Sequence, residues 1–270
     1  MTDWSNTFGS GTLNARLDVD SLIAECGIDA AEIEWRKEFI GFDEADERRL
    51  TDLEQLFEAH TDEIADDFYE NLTAYEQTTD VIGRSDKALE QLKQTQSAYL
   101  VTLASGEYEM DYFRNRARIG KIHDMLEMPM KHYIGQYGVY YDLILPLLFE
   151  RLEERLVDRI ADVEEATAVD DVVSEEIERS REEVLSVLRI INLDMQVVAD
   201  TYIHSYSEDL EASVEKRERL MHEIEQDLAD PIEKLETSAA DVAQSTAEMS
   251  DLAREQAGTT ETVGNEVSNM

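Results

Sequence analysis

Apolar residues recur at three- and four-residue steps along almost the whole of this chain, and few residues interrupt them. Prolines stand only at 129, 146 and 231, and 11 glycines are spread over 270 residues. A period near 3.6 with so few breakers admits long helices and excludes the alternating pattern of strands. An all-α fold follows.

Lysine and arginine total 24 and aspartate and glutamate total 63, a formal charge of −39. Such a surface has no basic patch with which to release counterions from phosphate, so nucleic acid is excluded as a partner. The same charge argues against an anionic membrane surface. The hydrophobic share of 42% is ample for a core, so the acids belong to a solvated surface and not to a disordered chain. Charge of this density suits a halophilic setting, where salt screens self-repulsion. Cys26 is the only cysteine, which fits a cytoplasmic location. The first residues lack a basic stretch followed by an apolar one, so no signal peptide is expected. The longest apolar stretch, Val139 to Phe149, contains Asp142 and Pro146 and is far short of the roughly 20 residues of a membrane span.

Taken in order, a leader to about Asn14 precedes a short helix with Leu17, Leu22, Ile23 and Cys26, ended by Gly27. Asp29 caps a helix whose apolar face reads Ile33, Trp35, Phe39 and Ile40; Gly41 closes it, and Asp43 caps the next. The segment from Asp43 to Leu72 carries Leu50, Leu53, Leu56, Phe57, Ile64, Phe68 and Leu72, with a break expected near His60–Thr61–Asp62 and Thr61 as the new cap. Tyr69 sits beside Phe68 and Leu72, as an ordinary core tyrosine also would. Ser85 or Asp86 then caps a helix with Leu89, Leu92, Gln96, Tyr99 and Leu103 inward and Thr95 beside them; Gly106 ends it. His60 and His204 read as surface or boundary residues, and His222 has no assigned role.

The following helix, from near Tyr108, places Tyr112, Arg116, Ile119, His123 and Leu126 on one face. A neutral imidazole in an apolar stripe is what a haem iron requires, and it is equally what a satisfied core histidine looks like. The stripe alone leaves both open. Pro129 marks the start of a long helix to about Ile160 with Tyr133, Tyr137, Tyr140, Ile144 and Leu148; a loop follows, then a helix over Val172–Tyr206. Both long helices are apolar over more than one stripe, which points to a homodimer.

Beyond Ser207 the seam positions step by four and three: Leu210, Val214, Arg217, Met221, Ile224 and Leu228, then Ile232, Leu235, Ala239, Val242, Thr246, Met249, Ala253, Gln256, Thr260, Val263 and Val267. That is a coiled-coil seam. Two successive steps of four between Ile224 and Ile232 insert one residue, at Asp230–Pro231, where a coiled coil can kink or change partners.

The run Arg118, Ile119, His123, Pro129, Tyr133, with FYENL around Tyr69 and LKQT around Thr95, resembles the sensor globins of globin-coupled sensors, most closely the haem-based aerotaxis transducers. The similarity covers about residues 30–200. It implies a globin-like sensor domain holding haem b, with His123 as the metal ligand and Tyr69 and Thr95 as hydrogen bonders to O2, or to CO or NO. Leu92, Ile119, Leu126 and Tyr133 would complete the pocket. It also implies signalling through a dimer to a chemotaxis kinase or its adaptor, by a methyl-accepting hairpin of which the segment from about Asp230 resembles the first helix. The family often has glycine where Glu127 stands and tryptophan where His132 stands, so His132 is a second imidazole close to the ligand run. The expected organisation is 1–28 leader and short helix, 29–206 sensor globin, and 207–270 coiled-coil linker and partial signalling helix. No nucleophile, base and orienter occur together, so enzymatic activity is not expected. The alternative is a cofactor-free helical dimer with a coiled-coil arm.

Overall fold

A computed structural model describes residues 11–164 and 168–268, and its regular structure is helical throughout. After a 3-10 turn at Asn14–Arg16 come α1 (Val19–Glu25), α2 (Ala30–Ile40), α3 (Glu44–Asp52), α4 (Glu54–Thr73) and α5 (Glu76–Gly83). They are followed by α6 (Leu89–Leu103), α7 (Met110–Met125), α8 (Met130–Ala161) and α9 (Val169–Ser268). The chain divides into two units after Ser207, within the length of α9.

The helix starts follow local chemistry. Asp18, Asp29 and Asp43 each accept a backbone N–H of the first turn, and Asp43 forms a reciprocal box with Asp46. Leu17 therefore precedes α1 instead of belonging to it. Gly41, at φ +71°, closes α2 in a left-handed conformation open to glycine at little cost. Neither Ser85 nor Asp86 caps α6. That helix begins at Leu89, with the Gln91 side chain accepting the Ala88 N–H, while Asp86 accepts from Thr12.

Two expectations are corrected. The chain does not break at His60–Thr61–Asp62. Thr61 is buried within α4, and the break falls at Leu53, where the Leu53 N–H turns back to the Leu50 carbonyl. That tight turn lets both leucines enter the core fully buried. On α2, Trp35 and Phe39 do not face the core. They are 55% and 71% exposed and stack on each other at 5.1 Å, while Ile33 and Arg36 are buried. Arg36 can take the inward place because Glu32 (2.8 Å) and Asp200 (2.5 Å) neutralise it.

The core of the first unit is built where α4 packs on α6 and α8, and α7 packs on α1. Close approach of α7 to α9 depends on Gly120: a Cβ there would strike the Thr201 hydroxyl and sit 3.2 Å from Val198 Cα. The α8–α9 pair is antiparallel and clamped by ions, with Arg155 on Glu176 (2.7 Å) and Glu183 (3.0 Å), and Arg159 on Glu176 (2.7 Å). Both helices keep large apolar residues outside the core, among them Ile134, Phe149, Val157, Ile177 and Tyr206. In the second unit the helix runs through Pro231 without ending, and the apolar positions of the seam are exposed.

Candidate functional site

The end of α7 fixes the first side chain of the site. The Glu127 N–H bonds the Asp124 carbonyl and the Met128 N–H bonds the His123 carbonyl, a double closure that stops the helix just after His123. Glu127 holds this turn at φ +51°, and Arg84 pins it from outside by donating to the Leu126 and Glu127 carbonyls. The imidazole of His123 then lies 5.4 Å, centroid to centroid, from the Tyr133 ring on α8. Its Nδ1 is enclosed and makes no hydrogen bond of ordinary geometry. Burial pushes the ring from 6.5 down to about 4, with the Ile119 carbonyl one turn back the one group opposing that fall. At neutral pH the ring is therefore uncharged, with a nitrogen lone pair available to a metal.

His123 opens onto a cavity of about 160 Å³, roughly ten times what one water requires. Tyr69, Leu92, Thr95, Ile119, His123, Leu126 and Tyr133, the seven residues singled out from sequence, all line it. The walls come from α4, α5, α6, α7 and α8 and are mostly apolar. Burial alone acts on the Tyr69 phenol and raises it, so the hydroxyl keeps its proton. Thr95 is differently placed. Its hydroxyl donates to the Gln91 carbonyl at 2.9 Å and accepts from Lys87 Nζ at 3.2 Å, which commits its one proton to its own helix. Gln96 donates to the Tyr140 hydroxyl, and Tyr133 and Tyr137 share a hydrogen bond of 2.9 Å. His123 belongs to no cluster of three or more His, Cys, Asp or Glu ligand atoms among the described residues. A bare ion would lack protein ligands here; a metal carried in a planar, apolar group would not.

A buried polar knot stands behind the α6 wall. Asp194 of α9, wholly buried, accepts from Tyr99 (2.8 Å) and Tyr112 (2.6 Å) and faces Arg116 Nε at 2.9 Å, off the axis of a good hydrogen bond. Arg116 lies over the Tyr112 ring at 3.9 Å and donates to Thr102. Sequence reasoning put Arg116 on the His123 stripe but missed its partner. The signal was a lone aspartate within the apolar run IINLDMQVV. Gln96, Tyr99 and Tyr140, also in the cavity wall, stand at inward positions of the sequence pattern, and nothing in that pattern singles out Lys87.

A model of the protoglobin family matches residues 29–208. The chain belongs to the protoglobin family. Among characterised proteins this protoglobin is 35% identical, over 272 residues, to the "Heme-based aerotactic transducer HemAT" of Halobacterium salinarum; the match takes in 100% of this chain and 53% of that protein. The chain thus spans about half the length of that relative. The globin domain of a Geobacter sulfurreducens globin-coupled sensor superposes with a TM-score of 0.50 at 21% identity, covering 63% of this chain and 96% of that one. The fold of the first unit is accordingly globin-like. The names of these relatives describe a transducer and a sensor, and among the described residues no helix is long and apolar enough to cross a membrane.

Proposed function

We propose that this chain is the sensing part of a haem-based oxygen sensor that signals in aerotaxis, with His123 as the iron ligand. The observation that carries this reading is His123 itself: a neutral imidazole with no hydrogen-bond partner of ordinary geometry at Nδ1, held by a closed helix end against a mostly apolar cavity. Haem b bound there would supply an iron able to take a diatomic gas. Leu92, Ile119 and Leu126 exclude water from it, and Tyr133 packs against the imidazole. The Tyr69 hydroxyl, in the wall of the same cavity, is the donor suited to a polar gas such as O2 and less to CO. Residues 29–206 form the sensor and 207–270 a coiled-coil linker with the start of a signalling helix. The exposed seam from Leu210 to Val263 calls for a second copy of the chain, and a chemotaxis kinase or adaptor is the expected receiver. The chain acts by binding and not by catalysis, in the cytoplasm.

A visible absorption spectrum of the purified protein tests the reading directly. A Soret band that shifts with O2 supports it, and a colourless protein that takes up no added haem ends it in favour of a cofactor-free helical dimer. His123→Ala should abolish tight haem binding while His132→Ala retains it. The reverse pattern would move the ligand to His132.

A further inference from the structure

Cations in the first unit mostly hold carboxylates. Arg36 sits on Asp200, Arg189 on Asp46, Arg155 on Glu176, Arg116 on Asp194 and Lys93 on Asp66. With 63 acids to 24 bases, a basic group without an acid is the exception. Three such exceptions line the cavity. Lys87 gives its ammonium to the neutral Thr95 hydroxyl. Arg118 donates to the Asn115 side chain at 3.3 Å. His132 has Nδ1 enclosed and unpartnered. None of the three makes an ion pair among the described residues.

One acid, Asp86, lines the same cavity and attracts the Lys87 charge without reaching ion-pair distance, and it accepts from Thr12 N (2.7 Å) and Thr12 Oγ1 (2.5 Å). Asp18 and Asp20 share an outer groove with Arg118, but Asp18 caps α1 and Asp20 lies 3.1 Å from Arg114. Burial disfavours the Lys87 charge and Asp86 opposes that only in part, so an incoming anion would offset the remaining cost. The three side chains come from the turn before α6, from α7 and from α8, so they surround the cavity on separate elements. A dianion approaching a chain of charge −39 is repelled until it comes within bonding distance of local cations.

We propose that Lys87, Arg118 and His132 form the carboxylate-recognition site of this cavity and take the two propionate groups of the bound haem. This rests on the haem reading above and adds the residues that orient the ligand. Because haem itself carries both carboxylates, esterifying them removes the proposed contacts without touching the protein.

The test loads apoprotein of the full chain with protohaem or with its dimethyl ester and follows release to excess apomyoglobin at fixed salt. Wild type should release the diester roughly tenfold faster or more, the order expected for losing one charge-assisted bond. Lys87→Gln, Arg118→Gln and His132→Gln should each narrow that gap, and the triple variant should close it. A variant that loosens the cavity generally would speed both ligands alike and leave the gap intact. Equal release of the two ligands by wild type, or a full gap in the triple variant, overturns the proposal while leaving haem binding standing. Failure of either ligand to give a Soret band removes this proposal together with the haem reading.

Discussion

A single hydroxyl proton separates the two residues that the sequence motifs offered as hydrogen bonders. Tyr69 and Thr95 both face the cavity, but Thr95 already donates to Gln91 and Tyr69 does not donate to its own helix. A donor in a low-dielectric site is worth about 1–1.5 kcal/mol to a polar partner. Tyr69→Phe should therefore raise the O2 off-rate about tenfold with little change for CO, and Thr95→Val should change O2 release much less. Flash photolysis and stopped-flow mixing measure both. Equal effects of the two substitutions would show that the Thr95 rotor turns into the cavity. At this scale the residue types were legible and their donor directions were not, because direction depends on a carbonyl one turn back and on Lys87. Glu127 shows the opposite case. The resemblance implies a glycine at this place in the family, and a φ of +51° is a conformation that glycine adopts at little cost.

Helix boundaries were legible wherever a cap made them: Asp29, Gly41, Asp43 and Pro129 all act as their residue types require. What the pattern could not give was which face of α2 turns inward. Trp35 and Phe39 outrank Arg36 in hydrophobicity, yet Arg36 is buried because Asp200, distant in sequence, answers its charge. The same rule governs Asp194, whose partners lie on α6 and α7 and far away along the chain. This knot joins three helices, two of which also line the cavity. Asp194→Asn keeps the shape but leaves the Arg116 charge buried and unanswered, so it should lower stability by about 3–5 kcal/mol. Urea unfolding of wild type and variant measures it. Double substitution of Asp194 and Arg116 by apolar residues of similar volume should recover part of that loss. No recovery would mean that Tyr99 and Tyr112, and not the ion pair, dominate the knot.

For the molecule as a whole, the charge and the helical periodicity announced an acidic all-α protein, but the number of copies is written only in surfaces left apolar. Ile134, Phe149, Val157, Ile177 and Tyr206 lie outside the core of the first unit, and in the second unit Leu210, Ile224, Ile232, Leu235 and Val242 are about half to two-thirds exposed. An amphipathic helix with one apolar seam is marginal alone and stable when the seam is paired. Its acidic flanks oppose pairing at low ionic strength and cease to do so as salt shortens the screening length from about 30 Å at 0.01 M to about 3 Å at 1 M. Dimerisation should therefore strengthen with salt. Single cysteines introduced at Leu210 or Leu235 in a Cys26→Ser background, which removes the chain's only native thiol, report on it. Cross-linking at both positions should rise from 0.01 M to 1 M salt. If α9 transmits the state of the cavity, the Leu210 and Leu235 yields should also change in ratio when O2 is added to the haem-loaded protein. A chain that stays monomeric at micromolar concentration in 1 M salt would remove the dimer. Cross-linking that is identical with and without O2 would leave a gas-binding globin whose seam is a passive spacer.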